Sequence, residues 1–372
     1  MKKERIVWIN ARFLGRPITG VERVARELLA ALAGQLDDRG RRGAADGTLL
    51  KFQLVGPPGG PADSPWPNLP LTRLGWGGGH LWEQTSLPVI TRDGWLVSPC
   101  NTGPTLKRRH LLFIHDAQPF AIPGNFTWKF RLWYKVLFSI GGRMARAVVT
   151  NSGFSRDELA RWVGLPRDHV TPLGLGADHV LRVPPDTGII ERHGLTGRPF
   201  LFAVSSVNPN KNFAAVERAL EILGDDAPVC VIAGQRYDEV FHKTGLDEGR
   251  RVIHVGYVSD AELYALYFQA RCLLFPSLYE GFGLPPVEAM TLGCPAIVSD
   301  TSAMPEVCGD AVLYCDPARP DSLADAIRRL LREPGLRDDL VARGRARAAR
   351  HSWARSAETL LATLARAMGV NL

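Results

Sequence analysis

Short apolar runs rich in β-branched residues alternate with helical patterns along the whole of this 372-residue chain. They stand at Arg5–Ile9, Lys51–Val55, Leu111–Ile114 and Ala147–Thr150 in the first half, and at Phe200–Val204, Val229–Ile232, Cys272–Phe275 and Ala296–Val298 in the second. Strand, helix, strand order implies parallel sheets covered on both faces. Between the two sets lies the Gly- and Pro-rich stretch Gly174–Gly188, which reads as a linker. The length suits two domains of about 150 to 180 residues each. The expected fold class is therefore α/β, with two Rossmann-like doubly wound domains over residues 1–178 and 189–352 and a closing helix over 353–372. Ligands of such sheets gather at the carboxyl ends of the strands, which makes a cleft between the domains the default site.

Hydrophobic residues make up 45% and charged residues 22%, the proportions of an ordinary globular protein. The six cysteines, Cys100, Cys230, Cys272, Cys294, Cys308 and Cys315, form no Cys-x-x-Cys pair, so neither a disulfide framework nor a zinc site is indicated. A reduced, cytoplasmic setting fits that pattern. The apolar run Ile6–Ile9 is too short for the core of a signal peptide, and no run approaches the length of a membrane span. A net charge of +7 favours acidic partners such as phosphates, nucleic acid or an anionic membrane face. Gly34–Gly47, Gly56–Pro70 and Gly77–Gly79 read as surface loops.

The most informative stretch runs from Pro276 to Met290, after the strand Cys272–Phe275 and into a helix. Pro285 or Pro286 suits the first turn, where a missing amide costs nothing. Gly281 and Gly283 let backbone amides approach a ligand, and the helix N-terminus aims partial positive charge the same way, which together make a diphosphate cradle. Glu288, expected in the first turn, is placed to accept two hydrogen bonds from a ribose diol, and Glu280 to hold hydroxyls of a sugar on the same diphosphate.

On these residues the chain resembles the retaining family 4 glycosyltransferases of the GT-B fold, whose signature is Glu-x7-Glu around a Gly-Phe-Gly loop, here Glu280 to Glu288 with Gly281, Phe282, Gly283 and Leu284 between. The resemblance extends through Gly256–Leu263 and Ser302–Asp310, and to the first domain in shorter patches. It implies a lysine at Lys211 against the donor diphosphate, a task suited to a flexible ammonium. Many members add an arginine in that loop, five residues before the lysine or directly before it. Those places are Ser206 and Asn210, so Asn210 is assigned to the donor and Arg23 is the candidate replacement charge.

The same resemblance places His115, with Asp116 beside it, next to the donor sugar. It also brings Gly20, in Arg16–Arg23, close to donor and acceptor, although Thr19 and Gly20 would serve equally as a helix cap. Thr150–Glu158 reads as structural, except that Asn151 or Ser152 at the strand end faces the cleft. Ser155-x-x-Glu158 and Ser259-x-x-Glu262 read as capping boxes. Phe126–Phe138, with Arg143 and Arg146, mixes aromatic and basic residues along one helix, a pattern that suits an anionic membrane surface and equally a half-buried core helix.

The implied reaction transfers a hexose, mannose from GDP-mannose first and a UDP-hexose second, onto a hydroxyl of a glycan or polyprenyl-diphosphate-linked acceptor, with retention at the anomeric carbon. The setting is cell-surface polysaccharide or lipopolysaccharide assembly on the inner membrane face. His115, Lys211 and Glu280 are the catalytic candidates; no metal, cofactor or nucleic acid is called for, and no Asp-x-Asp cluster occupies a suitable loop. The last helix crosses back onto the first domain and permits closure. Competing readings are a nicotinamide-dependent oxidoreductase, which lacks its Gly-x-Gly-x-x-Gly because Asn10–Gly15 has one glycine, and a basic nucleic-acid- or membrane-binding protein, which leaves Glu280 and Glu288 unexplained.

Overall fold

The computed structural model describes residues 4–204, 208–234 and 251–371. The chain divides into two compact units, residues 1–175 with 353–372, and residues 176–352.

The first unit is built on an eight-stranded sheet: β1 (Glu4–Asn10), β2 (Arg41–Gly43), β3 (Leu49–Gly56), β4 (Leu71–Arg73), β5 (Trp95–Ser98), β6 (His110–Phe113), β7 (Ala147–Thr150) and β8 (Val170–Pro172). The order is β2-β3-β1-β5-β6-β7-β8, with β4 also on β3. Every pair is parallel except β2 on β3. This corrects the expectation of a purely parallel sheet and of a bare loop over 34–47, because Arg41–Gly43 folds back as an antiparallel edge. Charged residues and a glycine on a three-residue edge give little apolar signal to read. β6 and β7 are buried at every position, the mark of central parallel strands covered on both faces.

Four helices of this unit matter below: α1 (Gly20–Ala33), α2 (Gly79–Ile90), α3 (Trp128–Val136) and α4 (Gly153–Val163). On α1, Val24, Ala25, Leu28, Leu29 and Leu32 recur at helical spacing and are buried. The C-terminal helix Trp353–Met368 packs against α1 and buries Leu360, Leu361 and Leu364. Ser356 Oγ donates to the Gly174 carbonyl at 2.8 Å and Arg5 to the Met368 carbonyl at 2.9 Å.

The cap of α4 differs from expectation. Ser152, three residues earlier than the start of the anticipated box, accepts from the Ser155 amide at 3.0 Å, so Ser155 is the third helical residue. Two serines three apart offer two registers, and the helix takes the one that begins at Gly153 directly after β7. Ser259 and Glu262 do form the expected reciprocal box.

The second unit carries a six-stranded, all-parallel sheet ordered β11-β10-β9-β12-β13-β14: β9 (Phe200–Val204), β10 (Val229–Ala233), β11 (Val252–Gly256), β12 (Cys272–Phe275), β13 (Ala296–Ser299) and β14 (Leu313–Cys315). Helices α5 (Phe213–Leu223), α6 (Asp260–Gln269), α7 (Leu284–Thr291), α8 (Pro320–Arg332) and α9 (Leu336–Ala348) cover it. Leu201, Ile232, Leu274 and Ile297 from the strands meet Val216, Leu220, Ile327 and Leu340 from the helices in one core. All six cysteines are free thiols, five of them buried, and burial pushes those of Cys230, Cys294 and Cys308 up to about 12.

The chain passes from the first unit to the second between residues 175 and 176, inside the expected linker. Inside Gly174–Gly188 a 3-10 turn, Asp178–Leu181, buries His179 and Val180, and His179 packs onto α7.

Candidate active site

In the second unit, β12 ends at Phe275 and α7 begins at Leu284, leaving an eight-residue loop at the carboxyl edge of the sheet. Neighbouring segments hold this loop through its backbone. Asn210 donates its side-chain amide to the Tyr279 carbonyl, and its own carbonyl accepts from the Leu278 amide at 2.9 Å. Asn212 donates to the Pro276 and Pro317 carbonyls at 3.0 and 2.8 Å. Ser302 Oγ accepts from the Glu280 amide at 3.1 Å, and the Glu280 carbonyl from Ala303 at 3.3 Å. Asn212 and Ser302 both sit at positive φ, 58° and 57°, a strain tolerated because each closes a turn on this loop.

Gly281, Phe282 and Gly283 are buried. Gly283 caps α7 at φ 89°, a conformation that favours glycine, and a Cβ there would have to displace the end of the Met304 side chain. Phe282 meets the ring of His351 edge-on at 5.5 Å. Pro285 and Pro286 fill the second and third positions of α7 and have no amide hydrogen. The amides that α7 can offer at its positive end therefore reduce to Gly283 and Leu284.

Lys211 ends a 3-10 turn, Pro209–Lys211, and its Nζ meets Glu280 Oε1 at 2.7 Å while lying 4.6 Å from the centre of the Phe275 ring. Lys211 and Glu280 retain 20% and 14% side-chain exposure, so the pair is shielded yet reachable. Asn210, by contrast, is buried, with its amide spent on the loop. Ser206, the other anticipated arginine place, lies outside the described residues.

Glu288 lies five residues into α7, one turn deeper than expected, because the helix starts at Leu284. Its carboxylate is buried, with Oε1 3.1 Å from His179 Nε2 and Oε2 accepting from Tyr267 OH at 3.2 Å. Burial pushes the Tyr267 phenol well above its ordinary range, and the Glu288 charge adds to it, so Tyr267 stays a donor. Neither partner was legible in the sequence: His179 fell in the supposed linker, and Tyr267 reads as one more apolar position of α6.

In the first unit, His115 follows β6 and is buried. Its ring stacks on Phe113 at 4.1 Å and Nε2 lies 2.9 Å from the Pro99 carbonyl, which can only accept, so Nε2 carries the proton and Nδ1 the lone pair. Burial pulls its pKa down to about 4, with hydrogen bonds to Pro99 and Asn151 opposing, so the ring is neutral at pH 7. Asp116 accepts from the Gln118 amide at 2.9 Å. Thr19 caps α1, its amide donating to Glu22 at 3.3 Å, while Gly20 is exposed and a Cβ on it would meet no heavy atom within 4 Å. Arg23 is half-buried on the first turn of α1.

α3 and the residues that flank it carry an aromatic row and an exposed apolar strip. Phe126, Phe130, Tyr134 and Phe138, four apart, form one aromatic row with centroids 5.3, 4.2 and 5.4 Å apart, the last pair edge-on. Trp128, Leu132, Trp133 and Val136 point outward and are 67%, 57%, 42% and 39% exposed. No residue of Trp128–Val136 is buried, but at the end of the segment Leu137 and Phe138 join the core of the unit and Tyr134 packs against it, as the half-core expectation has it.

Two Rossmann-like units are the architecture of the GT-B fold. Residues 187–347 match the glycosyl transferases group 1 family. It is 32% identical over 220 residues to the O-antigen chain mannosyltransferase B of Escherichia coli, covering 56% of this chain and 58% of that one. It is 32% identical over 227 residues to the GDP-mannose-dependent alpha-(1-6)-phosphatidylinositol dimannoside mannosyltransferase of Mycobacterium tuberculosis, covering 58% and 57%. The chain thus spans less than two thirds of either curated relative. The structure of Anabaena HepE in complex with UDP and glucose superposes with a TM-score of 0.71 at 16% identity, over 97% of this chain and 100% of that one. Among the described residues no helix is long and apolar enough to cross a membrane.

Proposed function

We propose that this chain is a retaining mannosyltransferase that moves mannose from GDP-mannose to a hydroxyl of a glycan or lipid-linked glycan in cell-surface polysaccharide assembly. The observation that carries the reading is the half-shielded Lys211–Glu280 pair beside the two amides of Gly283 and Leu284. The bond from the anomeric carbon to the diphosphate breaks and one to the acceptor oxygen forms on the same face, with the acceptor proton passing to a departing phosphate oxygen. Negative charge builds on the diphosphate, where Lys211 and the amides of Gly283 and Leu284 stabilise it. The incoming diphosphate competes with Glu280 for Lys211, and the freed carboxylate turns to the mannose hydroxyls. Glu288 keeps two of about four lone-pair sites after serving His179 and Tyr267, and these accept from the ribose diol.

His115, held neutral by burial, is proposed to serve the sugar, Gly20 to admit a ligand close to the backbone, and Arg23 to supply the second positive charge. GDP-mannose takes precedence over a UDP-hexose because named mannosyltransferases stand among the curated relatives, although HepE is seen with UDP. The outward strip of α3 supports peripheral contact with the inner membrane face.

A thermal-shift panel of nucleotide sugars tests the donor, since a ligand at about 100 times its dissociation constant stabilises by about 2.7 kcal/mol. GDP-mannose should give the largest shift, and NMR of the product should show the donor's α configuration kept. A larger shift with UDP-hexoses, or a β-linked product, would overturn the corresponding half of the reading.

A further inference from the structure

The first unit holds a cavity of about 390 Å³ that the donor residues of the second unit do not use, lined among others by Arg12, Arg16, Arg73, Gly79, His80 and Tyr134. Its walls come from the segments after β1 and β3, from the last residue of β4 and from the start of α2, so it opens at the carboxyl edge of the sheet.

The charges of this cavity are unequally balanced. Arg12 Nε lies 3.2 Å from Glu83 and Arg16 Nη1 lies 3.1 Å from Glu22. Glu83 is buried, which opposes its ionisation, but hydrogen bonds from His80, Asn10 and Thr102 and the Arg12 charge outweigh that and hold its carboxyl below the usual range. Arg73 has no carboxylate partner among the described residues. Its guanidinium donates to the Pro61 and Pro57 carbonyls at 2.8 and 3.4 Å, and Nη2 is buried with no partner. Two glycines make its seat: a Cβ on Gly60 would come within 2.7 Å of the guanidinium, and one on Gly56 would overlap it. A cation held by carbonyls alone lacks the counter-charge that an anion supplies.

The N-terminus of the twelve-residue helix α2 reaches the same cavity through Gly79. Its cap, Gly78, makes no side-chain hydrogen bond and the first turn has no acid, so the positive end of the dipole is uncompensated. A Cβ on Gly79 would meet nothing within 4 Å.

The cavity also borders α3. Tyr134 belongs to both, and the His80 ring meets Trp133 and Tyr134 edge-on at 6.0 and 6.3 Å. The exposed strip of Trp128, Leu132 and Val136 lies on that helix, and no acidic residue occurs between Asp116 and Asp157 while Lys129, Arg131, Lys135, Arg143 and Arg146 do. The complement of a cationic, glycine-walled cavity beside an exposed apolar strip is an anionic head joined to a hydrocarbon chain.

We infer that this cavity binds the phosphate or diphosphate group of a lipid-linked ligand whose chain lies along α3. Calling that ligand the acceptor rests on the proposed transferase reading; the binding itself does not.

Calorimetric titration of the full chain with farnesyl diphosphate, inorganic diphosphate and farnesol tests it. Farnesyl diphosphate should bind more tightly than either of the others, and more weakly as salt rises. Arg73→Gln should weaken it by about tenfold to a hundredfold, the range of one charge-assisted hydrogen bond. Pro58→Glu, which adds a negative charge at an exposed lining position and leaves the bonds of Arg73 in place, should do the same should the first variant prove unstable. Lys211→Ala should leave this binding unchanged. Farnesyl diphosphate binding that survives both cavity variants, or that disappears with Lys211→Ala, overturns the site; equal affinity for inorganic diphosphate overturns the lipid. A GDP-mannose thermal shift on Arg73→Gln separates the two proposals, because a failed donor reading removes that shift from the parent chain as well and leaves the Arg73 dependence intact.

Discussion

The donor loop of the second unit and the arginine cavity of the first are both glycine-rich and both sit at the carboxyl edge of a parallel sheet, yet they are built oppositely. In the loop, Gly281–Gly283 are buried, every flanking carbonyl named above has a donor, and Lys211 already holds a carboxylate. In the cavity, Gly79 opens on free space at a helix end with no side-chain cap, and Arg73 lacks a counter-ion among the described residues. The difference teaches how the two would meet a ligand. A braced loop presents fixed dipoles at no cost in reorganisation, which suits stabilising charge as it develops. An open cationic cavity gains mainly from being filled, which suits binding.

The comparison breaks most sharply at the ion pair. Lys211→Ala and Glu280→Ala should each lower turnover with GDP-mannose by about 10²- to 10⁴-fold with little change in thermal stability, since both act on the reacting end. Steady-state kinetics would read this, and near-normal turnover in either variant removes the assigned roles.

Glycine substitutions sharpen the contrast between braced and open. Gly283→Ala forces a Cβ into Met304 at φ 89° and should destabilise the chain by about 2 to 4 kcal/mol in urea unfolding. Gly20→Ala has neither obstacle and should leave stability within about 1 kcal/mol. A drop in its activity would then report a ligand approaching the backbone, and unchanged activity would make Gly20 only the first residue of a capped helix.

Acid should act on the histidines buried beside the first sheet. Burial lowers His115 to about 4 and His110 to about 3 from an ordinary 6.5, with the Lys107 charge assisting at His110. The unfolded chain binds these protons first, so their contribution is whole above about pH 6.5 and falls by about 1.4 kcal/mol per unit and per histidine as pH drops toward the folded values. His110→Gln should flatten the dependence of unfolding free energy on pH between 6.5 and 4; an unchanged slope would place the acid sensitivity elsewhere.

The smallest effect belongs to Tyr267→Phe, which removes one buried hydrogen bond from Glu288. A loss of about 1 kcal/mol in stability is expected, together with a raised KM for the donor and a nearly unchanged kcat. A lowered kcat at constant KM would argue that Glu288 acts on the reacting end.

Much of this was legible before any coordinates. The strands Ala147–Thr150, Phe200–Val204 and Cys272–Phe275 stand where their apolar runs put them, because a strand buried on both faces writes itself as a continuous run. Trp95–Ser98, Leu71–Arg73 and Arg41–Gly43 were missed, being short and mixed with polar or breaker residues. The spacing of Glu280, Gly281, Gly283 and Glu288 is local information, carried by one strand-loop-helix segment. What tertiary structure alone decided is what each carboxylate faces: Lys211 from 69 residues away for Glu280, and His179 from 109 residues away for Glu288. It also decided that Arg12, Arg16 and Arg73, unremarkable among 45 basic residues, line one cavity. Sequence determines hydrophobic period, turn chemistry and the motifs within one connection. Partners contributed by different strands and loops depend on how a parallel sheet orders its strands, and that order is set by packing across the whole unit.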